Sequence, residues 1–160
     1  NLINGTIDAC EWVGPWNDEK SRFYEAAKYY YGPGYHEPGT LITLGCNKSW
    51  LTSLSKTDQM IIEHAATVQN ERMVTEYNAM NGAALNRLVN DHGVELREFN
   101  EDVVDAFGVA SEELYDELAE GDELTGRILA SYKKARTDIG GWLNIADTGY
   151  STQRRRVLEG

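Results

Sequence analysis

Glu11-Trp12-Val13-Gly14-Pro15-Trp16-Asn17-Asp18 is the stretch on which the reading of this chain turns. Before it, Asn4-Gly5 is a turn signal, and Thr6 to Val13 is a short run containing β-branched and aromatic residues. The pattern predicts a buried strand that gives way to a loop at Gly14-Pro15. After it, Asn17 or Asp18 can cap a helix reaching about Tyr31, with Phe23, Ala26, Ala27 and Tyr30 at helical spacing and Gly32-Pro33-Gly34 as its stop. The loop Tyr35-His36-Glu37-Pro38-Gly39 follows, and Thr40 to Asn47 reads as a second strand.

Downstream the pattern is helical. From about Thr57 to Asp91 a broad stripe of Ile61, Ala65, Val68, Met73, Tyr77, Met80, Ala84 and Leu88 predicts one long helix whose stripe is core, with His92-Gly93 as the stop. Val94 to Phe99 is a strand candidate. Asn100 and Ser111 are N-caps for two brief helices, to Phe107 and to Glu120. Gly121 breaks the run, and Asp122 to Gln153 is a final helix with Gly140-Gly141 as its weak point. Its stripe, from Leu124 to Ala146, is more than a chain-end helix covers by itself, which makes it a candidate for packing on a second subunit.

Composition excludes several classes. The chain has 160 residues, 26 acidic against 15 basic side chains and a formal net charge of −11. Its dense basic run is Arg154-Arg155-Arg156 near the C-terminus, so no nucleic-acid partner is expected. No run of apolar residues reaches the length of a membrane span. The start, Asn1-Leu2-Ile3-Asn4-Gly5, reads as a helix end and a turn, so a larger N-terminal part is expected upstream. Cys10 and Cys46 lack metal-site spacing and are expected to be free and packed.

The chemistry concentrates at two places. Glu11 and Glu37 each set a carboxylate beside aromatics at a Gly/Pro loop, the usual position of ligand groups in open α/β sheets. A glutamate in such a setting is costly to bury as a bare anion, so it is protonated or bound to a cation. Two of them converging would make a site for a hard cation, completed by backbone carbonyls. Spacing alone leaves this open against a plainer alternative, with Glu11 capped by backbone donors and Glu37 solvated. His36, His64 and His92 fall in three different contexts, which argues against a three-histidine centre. The sequence contains no nucleophile elbow, dinucleotide fingerprint, phosphate loop or HExxH motif.

With these residues in view, Glu11-Trp12-Val13-Gly14-Pro15 and Tyr29-Tyr30-Tyr31-Gly32-Pro33-Gly34-Tyr35-His36-Glu37-Pro38-Gly39 closely resemble the DctP-type solute-binding receptors of TRAP transporters, in the branch that binds 2-oxo acids and related small carboxylates. The resemblance implies the C-terminal half of a two-lobed periplasmic solute-binding fold, α/β in class and helix-rich, with long C-terminal helices. Residues 1–55 would form part of the ligand-binding α/β lobes with hinge and pocket loops. Residues 56–121 would be the helices that close the lobes, and 122–160 a dimerisation helix with a basic tail. It also implies a metal cation, sodium or calcium, held by the Glu11 side chain, the Trp12 carbonyl and Glu37, with Trp12, Tyr35 and His36 lining the pocket. The implied partners are a small organic acid anion such as pyruvate or lactate, the small and large TRAP membrane subunits, and a second copy of the chain. The family's carboxylate-clamping arginine and an amide ligand to the metal fall upstream of these residues, and His36 and Pro38 stand where relatives often carry Trp and Gly. Two other classes fit parts of the pattern: an enzyme using Glu11 and Glu37 as a glycosidase-like acid and base, and a helical dimeric assembly protein.

Overall fold

The computed structural model of the chain describes residues 1–34, 39–40 and 42–158. They divide into two compact units, Asn1–Asn100 and Glu101–Gly160. Among the described residues, no helix is long and apolar enough to cross a membrane.

In the first unit, a short helix α1 (Pro15–Lys20) is followed by a 3-10 turn (Phe23–Glu25), strand β1 (Tyr29–Gly32), helix α2 (Lys48–Ser53), the long helix α3 (Lys56–Asn90) and strand β2 (Glu95–Glu98). The starts and stops have local causes. Pro15 stands in the first turn of α1, where the missing N–H costs nothing. Asn47 caps α2 by accepting from the Trp50 N–H at 3.0 Å. Ser55 caps α3 by accepting from the Asp58 N–H at 3.1 Å, and its own hydroxyl donates to the Asp58 carboxylate at 2.7 Å. At 35 residues, α3 is about 52 Å long. It ends where Gly93 takes a left-handed φ of 67°, which a glycine adopts without strain.

The strands β1 and β2 pair in parallel, Tyr29 opposite Glu95 and Gly32 opposite Glu98. A parallel pair needs a long crossover connection, and the segment containing α2 and α3 supplies it. The predicted long helix and the Val94–Phe99 strand are therefore present. The other two predicted strands are not: residues 6–13 are exposed and without regular structure, and the described residues of 40–47 also lack regular structure and are exposed apart from the half-buried Cys46. A strand is stable only as part of a ladder, and among the described residues neither segment has one. Nor does one helix run from Asn17 to Tyr31. Arg22 takes a positive φ of 58°, which ends the helical path after Lys20, and the tyrosine run goes into the ladder with β2.

The second unit contains α4 (Glu101–Gly121), α5 (Glu123–Ile145) and α6 (Asp147–Leu158). Asp122 caps α5 through the Thr125 N–H at 3.0 Å, at the break expected after Gly121. Helices α4 and α5 run antiparallel: Lys133 pairs with Asp116 at 2.8 Å and Arg136 with Glu112, while the rings of Tyr115 and Tyr132 lie 5.6 Å apart. Two expectations are corrected here. Residues 101–121 form one helix, because Gly108 costs it only about 1 kcal/mol and packing against α5 offsets that. The C-terminal helix breaks at Ala146 and not at Gly140-Gly141. At that joint the backbone closes on itself, and a Cβ on Gly149 would stand 2.8 Å from the Asn144 carbonyl oxygen.

The core lies where α1 packs on the C-terminal half of α3. Ala84 and Leu88 are buried there together with Val94, whereas Ile61 and Val68, on the same predicted stripe, are exposed. The stripe is thus core over its second half only. Cys10 and Cys46 are free as expected, but Cys10 is exposed and not packed. Leu88→Ala is expected to destabilise the protein by about 2–5 kcal/mol in denaturant unfolding, the usual cost of a cavity at a fully buried leucine.

Candidate functional site

The turn carrying Glu11 and Trp12 is held by what comes immediately after it. Gly14 has a φ of 155°, a conformation that L side chains rarely adopt, and a Cβ there would meet the Asn81 Oδ1 of α3 at 3.4 Å. The same Asn81 oxygen accepts from the Trp16 N–H at 3.0 Å. Trp16 then sets its ring edge-on to Tyr77, one helical turn earlier on α3, with centroids 5.2 Å apart, and the Lys20 Nζ lies over the Trp16 ring, 4.0 Å from its centroid. Further along α3, Arg87 makes a bidentate pair with Glu19, at 2.6 and 2.5 Å. His92 stacks on Tyr24 at 3.8 Å and comes within 4.0 Å of the same carboxylate. The Arg87 guanidinium holds the Glu19 carboxyl below the usual glutamate range. Helix α1 is thereby fixed along α3 from Tyr77 to Arg87.

On its other side α1 meets β1. Asp18 is only 6% exposed, and its Oδ2 accepts from the Tyr30 hydroxyl at 2.5 Å. Burial pushes the Asp18 carboxyl above the ordinary aspartate range. Tyr30 and the backbone dipoles of Gly14 and Val13 pull it back, and the negative charge of Glu11 adds to the rise. Burial and the hydrogen bond to Asp18 push the Tyr30 phenol up as well. Among the described residues, the buried Oδ1 atoms of Asp18 and Asn17 have no hydrogen-bond partner.

Glu11 and Trp12 themselves are exposed, Trp12 to 59%. Tyr35, His36, Glu37 and Pro38 lie outside the described residues. Among the described residues no three or more His, Cys, Asp or Glu side chains gather into a metal cluster. His64 is exposed on α3 and His92 is engaged with Tyr24 and Glu19, so neither joins Glu11. Sequence reasoning missed the two residues that lock the turn. Asn81 falls four residues after Tyr77 and three before Ala84, a polar residue inside an apolar row, and that interruption was its signal. Asp18 read as a helix cap; its burial depends on Tyr30, which no local pattern reveals.

Comparison with known proteins agrees with this organisation. The family described as "Bacterial extracellular solute-binding protein, family 7" (DctP) matches residues 1–122. A monocarboxylate 2-oxoacid-binding periplasmic protein of Nostoc sp. is 34% identical over 149 residues, covering 93% of this chain and 41% of that protein. Two crystal structures of TRAP solute-binding proteins are similar in fold as well as in sequence. That from Bordetella bronchiseptica RB50 is a mixed-occupancy dimer with an active site holding copurified calcium and picolinate and an apo site; it has a TM-score of 0.88 at 33% identity, covering 99% of this chain and 47% of that one. That from Pseudoalteromonas atlantica T6c contains bound sodium and pyruvate, with a TM-score of 0.83 at 32% identity, covering 94% of this chain and 46% of that one. The chain thus spans somewhat less than half the length of these relatives, and its α/β, helix-rich architecture is that of a TRAP solute-binding protein. Members of the family are solute-binding receptors and not enzymes. The chain belongs to the bacterial extracellular solute-binding protein family 7.

Proposed function

We propose that this chain is the C-terminal part of a periplasmic TRAP receptor that binds a small 2-oxo or 2-hydroxy acid together with a sodium or calcium ion and delivers it to the small and large membrane subunits. The observation that carries this reading is the pairing of a cation with a small carboxylate in the two structural relatives, alongside an exposed Glu11-Trp12 turn in this chain that leads directly into the anchored helix α1. Glu11 supplies a carboxylate oxygen to the cation, Trp12 its backbone carbonyl, and Glu37 a second carboxylate. Hard oxygen donors of this kind suit both ions. Trp12, Tyr35 and His36 line the pocket, and upstream residues complete it.

Electrostatics supports the cation independently. An acid ligand placed between two glutamates on a chain of net charge −11 meets repulsion in a medium that screens poorly. A cation at the glutamates reverses the local sign of the field. Its chemical contribution is a positive point charge that the carboxylate of the solute can share; no bond in the solute is made or broken. The exposed Ile3, Ile7, Ile42 and Leu44 suit burial by the upstream half of a two-lobed receptor.

Helix α5 leaves Leu124, Ile128, Ile139, Trp142 and Ile145 exposed, and these suit a homodimer formed through the C-terminal helices. In sedimentation, the complete receptor is expected to be a dimer and a version ending at Gly121 a monomer; an unchanged dimer would remove the C-terminal helices from the interface. Isothermal calorimetry of the complete receptor tests the site: chelating the metal should abolish pyruvate binding, and Glu11→Gln should weaken it about 10-fold or more, which is about 1.4 kcal/mol. Pyruvate affinity unchanged by chelation would refute the metal-dependent site.

A further inference from the structure

Helix α1 is fixed on α3 by Asn81, Tyr77 and Arg87, through contacts that do not involve the buried carboxyl of Asp18. Burying a carboxyl group with one oxygen unpartnered is unfavourable, and an apolar residue would fill the position at lower cost. Its location gives the reason. Asp18 follows the turn that carries Glu11 and Trp12, and its partner Tyr30 is the second residue of β1, the strand from which the chain continues in sequence toward Tyr35, His36 and Glu37. The 2.5 Å hydrogen bond therefore joins the helix that directly follows the Glu11-Trp12 turn to β1. We infer that Asp18 is a positioning residue for the binding site, a buried acceptor that locks the Glu11-Trp12 turn to β1 through the Tyr30 hydroxyl.

The inference rests on the receptor reading and deepens it. Residues that orient ligating groups without touching the metal commonly change affinity by about 10- to 100-fold when removed, because the ligands themselves become mobile. A group that only stabilised the fold would lower the melting temperature and leave affinity alone. Asp18 and Asn81 divide the work: Asn81 holds the backbone of the turn from the side of α3, and Asp18 holds the start of α1 from the side of the sheet.

The test uses the complete receptor with calcium saturating and pyruvate as the probe, in wild type and in Asp18→Ala, Tyr30→Phe and Asp18→Asn. Asp18→Ala and Tyr30→Phe should each weaken pyruvate binding about 10-fold or more. Both should also speed amide hydrogen exchange over residues 11–18 in the ligand-free protein. Asp18→Asn keeps an oxygen that accepts from Tyr30 and should stay within about threefold of wild type. Wild-type affinity in Tyr30→Phe overturns the proposal whatever its melting temperature, and so does an Asp18→Asn variant as weak as Asp18→Ala. Tyr30→Phe removes only a hydroxyl, so it keeps the test decisive if Asp18→Ala fails to fold. A wild-type protein that binds no monocarboxylate refutes the receptor reading itself, whereas the exchange measurement reads the lock separately.

Discussion

The grip of α3 on the short helix α1 is the contact on which the rest of the first unit depends. A helix of six residues is far below the length that is stable alone in water, so α1 exists because something holds it. That holding is distributed over three points along α3: the Tyr77 ring against Trp16, the Asn81 oxygen on the Trp16 N–H, and the Arg87 fork on Glu19. The polar contacts fix register and the buried Ala84 and Leu88 between them supply the apolar burial. Because α1 is pinned, the residues just before it are pinned at one end, and those are Glu11 and Trp12.

The electrostatic organisation follows from the same arrangement. Around α1 each carboxylate is paired with a donor: Glu19 with Arg87, Asp18 with Tyr30, and on the neighbouring strand Glu95 with Lys28 at 2.6 Å and Arg97 at 2.8 Å. Glu19 and Glu95 are held below the usual glutamate range by these hydrogen bonds, so they are structural charges. Glu11 is the carboxylate that acts through its field on the buried Asp18 while standing at the surface. A cation placed there would relieve that repulsion as well as attract an acid, which links the charge of the chain to the chemistry of its ligand.

How much of this could be read from residues alone depends on how local each feature is. Helix α3 was legible because its stripe repeats over many turns and its end carries a local signal in His92-Gly93, while its start was placed at about Thr57 and the Ser55 cap was not read. The break at Gly121-Asp122 was legible for the same reason. The strands predicted over 6–13 and 40–47 failed because β-branched residues report fitness for a ladder and not the presence of a neighbour. The joint at Ala146 was hidden, since what marks it is the backbone conformation at Ala146 and the approach of Gly149 to Asn144, and alanine is otherwise a strong helix former. At the site, the paired motifs around Glu11 and Glu37 indicated the family before any geometry was known. Asn81 showed only as a polar break in an apolar row, and the contacts of Asn81 and Asp18 were not legible, because their partners Trp16 and Tyr30 are 65 and 12 residues away.

The central claim is that the Glu11-Trp12 turn holds a cation beside a small carboxylate. Anomalous diffraction from crystals of the complete receptor grown with calcium and pyruvate tests it most directly. The account predicts an anomalous peak at the Glu11 carboxylate and the Trp12 carbonyl oxygen, with pyruvate density beside it; a cation peak elsewhere, or pyruvate bound with no peak at Glu11, would contradict it.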